Sequence, residues 1–132
     1  MTLSSEIRAW LGLAAFFLSV IFVVPVLASN PIQITSNPGE DFAPSISPDG
    51  SFMVYVSDTS GNLDLWMKYL GVGIQPPDRR LTFHSTEDKS PAISPDGKKV
   101  AFVSHRGDPR GDIYILDLQN TDDPVAVVKG KG

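Results

Sequence analysis

The sequence predicts an all-β fold built from two successive four-stranded antiparallel units, and three observations carry that reading. The heptad Pro44-Ser-Ile-Ser-Pro-Asp-Gly50 returns as Pro91-Ala-Ile-Ser-Pro-Asp-Gly97, an offset of 47 residues. The likeness extends beyond the heptad: across 34–58 and 81–105, 11 of 25 positions are identical, among them Thr35/Thr82, Glu40/Glu87, Asp41/Asp88 and Ser57/Ser104. Short apolar runs such as Phe52–Val56 and Lys99–Val103 are bounded by Gly, Pro, Asp and Ser, and no apolar pattern at helical spacing outlasts a turn or two.

In chain order, the first element is a leader. Residues 1–10 carry the free amine and Arg8 against Glu6, Leu11–Leu27 is almost wholly apolar, and Val26-Leu-Ala28 places small residues before polar Ser29-Asn30. That succession matches a secretory signal peptide cut after Ala28. An uncleaved anchor is the alternative. As a helix, Trp10–Leu27 would reach about 27 Å at ~1.5 Å per residue, just short of the ~30 Å hydrocarbon core. Both readings send the rest of the chain out of the cytoplasm, to the periplasm or to a membrane-anchored position facing it. Membrane contact is then confined to residues 1–28, if they are retained.

Ile32–Thr35 follows as a lone outer strand, equivalent to Leu81-Thr82 by the repeat. Pro44–Ser47 reads as a strand ended by the turn Ser47-Pro48-Asp49-Gly50. There Pro48 presets φ for the second turn position and Gly50 accepts a left-handed exit. Phe52–Val56 is continuous in its apolar residues, as befits a strand covered on both faces. Asp58–Asn62 turns the chain into Leu63–Tyr69, and a Gly/Pro-rich stretch leads to a last strand near Arg80–Thr82. The second unit repeats the order with Ala92–Ser94, the turn Ser94-Pro95-Asp96-Gly97, Lys99–Val103, Asp112–Leu118 and Val125–Val128. One inserted residue shifts the offset to 48, pairing Asp64 with Asp112 and Trp66 with Tyr114. The organisation expected is thus 1–28 leader, 32–80 first unit with its preceding strand, 81–128 second unit, and 129–132 tail.

A repeat of 40–50 residues with four short strands is the signature of a propeller blade. The pattern Leu81-Thr82 … Asp88 … Pro91-Ala-Ile-Ser-Pro-Asp-Gly97 … Ser104 … Asp112-Ile-Tyr114 resembles the TolB-type β-propeller repeat, a relative of WD-type propellers, over about residues 32–128. Ile46 and Ile93 stand where that repeat usually has an aromatic residue. The fold expected is a partial β-propeller of two blades, an orphan outer strand and the preceding leader. Two blades cannot close a ring of four to eight. The expectation is therefore the first part of a longer propeller protein, with assembly of several copies as the alternative. Sheet faces left uncovered leave self-association open.

Composition narrows function. Fifteen Asp+Glu against eleven Lys+Arg give a net charge of −4, which argues against nucleic acid as a partner. With no Cys and two His, thiolate chemistry is excluded and little remains for a His-based site. No cofactor, metal site or catalytic residue is expected, since nucleophile-elbow, phosphate-loop and zinc-helix motifs are all missing. A meander places alternate loops on one edge, where Glu40, Asp41, Asp58, Glu87, Asp88 and Asp108 gather. They are the candidate binding residues, for a cation or a basic partner, although turn-capping carboxylates would look the same. The resemblance implies a non-enzymatic protein-binding module of the cell envelope. Its alternative is the leading part of the propeller of a prolyl-oligopeptidase-like serine peptidase whose catalytic domain lies elsewhere.

Overall fold

The two Ser-Pro-Asp-Gly turns set the frame. In each, the Gly amide donates to the Ser carbonyl, Gly50 to Ser47 and Gly97 to Ser94, both at 2.9 Å. Gly50 and Gly97 take φ of 71° and 70°, a left-handed conformation that costs a side-chain-bearing residue roughly 1–2 kcal/mol. The Asp at the third position holds the Ser hydroxyl, with Ser47 Oγ at 2.7 Å from Asp49 Oδ1 and Ser94 Oγ at 2.5 Å from Asp96 Oδ1. These bonds draw both carboxyls below the usual range. Asp49 is brought to about 2, chiefly by the Ser47 hydroxyl, and Asp96 is lowered chiefly by the Ser94 hydroxyl.

The computed structural model describes residues 30–128; the expected leader and tail lie outside the described residues. Eight strands follow one another: β1 (Asp41–Ile46), β2 (Phe52–Ser57), β3 (Asp64–Tyr69), β4 (Arg79–Arg80), β5 (Asp88–Ile93), β6 (Lys99–Ser104), β7 (Asp112–Asp117) and β8 (Asn120–Val128). They form two antiparallel meanders, β1-β2-β3-β4 and β5-β6-β7-β8. Among the described residues, 33–128 belong to one compact unit.

Register assigns each side chain to a face. Val54 lies opposite Met67, and Val56 opposite Leu65. These four point at the second sheet, where Val100 lies opposite Leu116 and Phe102 opposite Tyr114. With Leu81 they form one buried cluster, and the Phe102 and Tyr114 rings meet at 5.9 Å between centroids. The core therefore lies between the two sheets. Each fully buried large side chain in it contributes about 1.5–3 kcal/mol. Backbone and side-chain bonds close the junction: Asp88 N to Leu63 O at 2.8 Å, Ile93 N to Ser45 Oγ at 3.1 Å, and Asn62 Nδ2 to the carbonyls of His84 and Thr86.

Four expectations need correction. Ile32–Thr35 is not a strand; the third strand of each sheet already holds its own fourth strand, β3 with β4 and β7 with β8, so neither offers it a free edge. The first strand of each unit begins before its proline, at Asp41 and Asp88, because a bulge absorbs the ring. The ladder slips between Phe42 and Ser45 and between Lys89 and Ala92, with Ala43 and Ser90 left-handed at φ 49° and 55°. β4 shrinks to two residues, although Leu81 N still reaches Leu65 O at 2.7 Å. β8 runs through Pro124 from Asn120, a residue tolerated because β8 is the outermost strand.

Candidate functional site

The loop edge that the sequence marked is organised by a row of aligned residues. Asp41, Ser57 and Asp64 stand side by side across three strands of the first sheet, and Asp88, Ser104 and Asp112 do so in the second. All but Asp41 are buried, and Asp64 and Asp88 have no exposed surface. A buried carboxylate needs a counter-charge or several donors, and each sheet supplies them differently. Arg80 Nη2 meets Asp64 Oδ2 at 2.7 Å, while Ser60 Oγ donates to the same oxygen at 2.5 Å. Arg106 Nη2 meets Asp88 Oδ2 at 2.8 Å, and its guanidinium also lies over the Tyr114 ring, 4.9 Å from the centroid. Burial works to raise the Asp41 pKa, but hydrogen bonds from Ser57, Thr35 and Asn37 outweigh it and leave the carboxyl below its ordinary value.

The remaining candidates are tied into the turns they sit in. Asp58 Oδ1 accepts from Asn37 Nδ2 at 2.7 Å and from the Glu40 amide at 3.0 Å, fastening the segment before β1 to the β2–β3 turn. Glu87 pairs with Lys89 at 2.5 Å, and that lysine's hydrogen bond lowers its pKa. Asp108 is bridged by Arg110 at 3.2 Å, and the Arg110 amide donates to Asp108 Oδ1 at 2.8 Å. Glu40 is exposed. Asp88, expected on a solvent-facing loop, is enclosed instead, because β5 lies under the first sheet and Arg106 folds over its carboxylate.

Among the described residues no cluster of three His, Asp or Glu side chains is placed to hold a metal ion. Asp58 and Asp64 diverge toward Asn37 and Arg80 respectively. The His84 ring is occupied locally: its Nδ1 accepts from the Thr86 amide at 3.1 Å.

What the sequence did not mark is the shape of the outer face of the first sheet. An apolar hollow of about 430 Å³ opens there, lined by Ile34, Phe42, Ile46, Met53, Tyr55 and Leu70 among others. Ile34 and Phe42 come from the segment taken for a strand and from the bulge, so alternation alone could not have placed them. Tyr55 donates from its hydroxyl to Asp78 Oδ2 at 3.0 Å, and burial together with that carboxylate pushes the phenol well above its ordinary pKa. Lys68 pairs with the same Asp78 at 2.8 Å.

No family model matches the chain, and no curated protein matches it. Among solved structures it is similar to the putative TolB of Agrobacterium tumefaciens, at 25% identity and a TM-score of 0.57, over 70% of this chain and 34% of that one. It is similar also to TolB of Acinetobacter baumannii, at 25% identity and a TM-score of 0.60, over 74% of this chain and 23% of that one. The chain thus spans about a third of one relative and a quarter of the other. The two sheets have a TolB-type β-propeller relationship.

Proposed function

We propose that this chain is an exported, non-enzymatic protein-binding module of the cell envelope, acting in the periplasm. The observation that carries the reading is the likeness of the two-sheet fold to TolB structures. The leader pattern in residues 1–28 supports export, and cleavage after Ala28 is the form we favour. The chemistry of the loop edge supports binding without catalysis: its carboxylates are held by arginine, asparagine and serine in structural pairs, and the His84 ring caps a turn. Glu40 and Glu87 remain at the surface on this edge and are the residues a protein partner would touch first.

Two measurements test this. Mass spectrometry of the exported protein should find a chain beginning at Ser29, and photo-crosslinkers placed at positions 40 and 87 in cells should give a discrete adduct with another envelope protein. Retention in the cytoplasm, or adducts absent at both positions, would refute the reading. So would peptidase or esterase turnover that survives repurification of the chain.

A further inference from the structure

A cleft of about 280 Å³ lies beside the junction of the two sheets. The segment between β4 and β5 contributes Leu81, Phe83 and His84, the β6–β7 loop contributes Arg106, and β8 contributes Thr121 and Pro124. All of these belong to the described residues, so the cleft does not depend on what lies against either outer face. Its apolar part is prearranged. Leu81 is fully buried, whereas Phe83 is 67% exposed and is restrained by the Arg80 guanidinium, 4.8 Å from the ring centroid.

The polar groups of the cleft are donors. Arg106 Nε donates to Ser104 Oγ and Arg106 Nη2 to Asp88 Oδ2, both at 2.8 Å, which occupies one edge of the planar guanidinium. Its outer fork, Nη1 with the second hydrogen of Nη2, meets no acceptor among the described residues. His84 Nδ1 accepts from the Thr86 amide at 3.1 Å, so the neutral ring carries its proton on Nε2 and offers a second donor. From this set we infer that the cleft binds a carboxylate carried on a short apolar or aromatic group. The carboxylate takes the Arg106 fork and His84 Nε2, and the apolar group packs on Phe83, Leu81 and Pro124. A guanidinium fork matches the two oxygens of a carboxylate. Asp88 already meets part of the Arg106 charge, and Arg80 is paired with Asp64, so a single negative charge suits the cleft better than a doubly charged phosphate. The volume falls just below the ~300–1,000 Å³ of sites for drug-sized ligands, which limits the ligand to one such group. A free aromatic acid and the C-terminal residue of a peptide both present that chemistry. The site is separate from Glu40 and Glu87 and stands whether or not a protein partner docks on them.

Titration of hydrocinnamate into the isotope-labelled purified chain, followed by NMR at physiological ionic strength, tests this. Saturable shifts are expected at the Arg106 Nε–H, the His84 ring and the Thr121 amide, with the Ser51 amide in the distant turn unmoved. The neutral analogue hydrocinnamamide should bind at least about tenfold more weakly, since it lacks the charge that the fork recognises. A peptide ending in Phe with a free carboxylate, set against the same peptide as its C-terminal amide, separates the two sources. Binding of the free-acid peptide assigns the site to a chain terminus, and binding of hydrocinnamate alone assigns it to a small acid. Arg106→Lys keeps a positive charge beside Asp88 but loses the two-donor fork, and should weaken hydrocinnamate about tenfold. Because Arg106 also supports the fold, Phe83→Ala provides a second variant at an exposed position: it should weaken binding severalfold with an unchanged melting temperature. Absence of saturable shifts with both hydrocinnamate and the free-acid peptide would overturn the inference. So would equal affinity for acid and amide, or unchanged binding in Phe83→Ala.

Discussion

The two sheets are near-copies in sequence and opposites in burial. β2 is covered on both faces from Met53 to Ser57, whereas β6 alternates between buried and half-exposed residues. In β1 no residue is fully buried, while its counterpart β5 encloses Asp88 and Pro91. Leu65 has no exposed surface and its equivalent Ile113 does. Since strand order, turns and bulges are shared, the local sequence cannot be the cause. Position in the stack is. A face becomes core when a neighbouring sheet lies on it, while on the outer face of β2 Met53 and Tyr55 are buried without one, in a hollow they line with Ile34 and Phe42.

A matched truncation should separate the two sheets most strongly. Leu65→Ala should cost about 3–4 kcal/mol and Ile113→Ala about 1 kcal/mol or less, read as the shift in a denaturant midpoint. Equal losses would mean that stacking is not what separates the sheets. Next in size, Arg106→Ala should cost about 2–3 kcal/mol, because it strands the enclosed Asp88 carboxylate without its counter-charge. Adding Asp88→Asn should recover part of that loss. At the equivalent position the first sheet has Thr59, with Asn37 serving Asp41; its own enclosed carboxylate, Asp64, is met by Arg80 from β4 instead.

The turns, by contrast, are alike in the two sheets. Gly50→Val and Gly97→Val should each destabilise by about 1–2 kcal/mol, and by more than Lys98→Val, with no gap between the two sheets beyond measurement error. Both glycines have room for a side chain but the wrong φ for one. In the bulges, Ala43→Gly and Ser90→Gly should be neutral or stabilise by up to about 1 kcal/mol, since relief of left-handed strain outweighs the added freedom of the unfolded chain. The smallest effect is electrostatic. Asp49 has a folded-state pKa of about 2, below its ordinary 3.8, so its contribution to the turn is complete above about pH 4. It fades as the pH falls toward 2, because protonation favours the unfolded chain. Asp96 shifts in the same direction. Amide shifts of Ser51 and Lys98, whose N–H groups donate to these carboxylates, should therefore move together in an acid titration.

Much of the architecture could be read before any coordinates. The Ser-Pro-Asp-Gly turns fix their own hydrogen bonds within five residues, and the apolar runs beside them need only a sheet to join. The bulges escaped because Pro44 and Pro91 look like strand starts. A left-handed Ala or Ser is not written in local preference; it is imposed by pairing on both sides of the ring. β8 escaped for a related reason, since Asp122-Asp123-Pro124 reads as a turn and only an outermost strand can absorb it. Among the candidate site residues, the capping roles of Asp49 and Asp96 were legible because their partners are two residues away. Asp88 was not, because its arginine lies eighteen residues on and its cover comes from the other sheet.

The uninterrupted meander has a kinetic consequence. Every strand pairs only with its neighbour in the chain, so each sheet can assemble from hairpins that close quickly, on the order of 1–10 μs each, without waiting for distant segments to meet. Yet the buried cluster draws on both sheets, so neither gains its apolar burial until they dock. The rate-limiting barrier should then lie at docking, with hairpin contacts already formed in the transition state. Substitutions in the two turns would slow folding, whereas truncations at the junction, Leu65→Ala foremost, would chiefly speed unfolding.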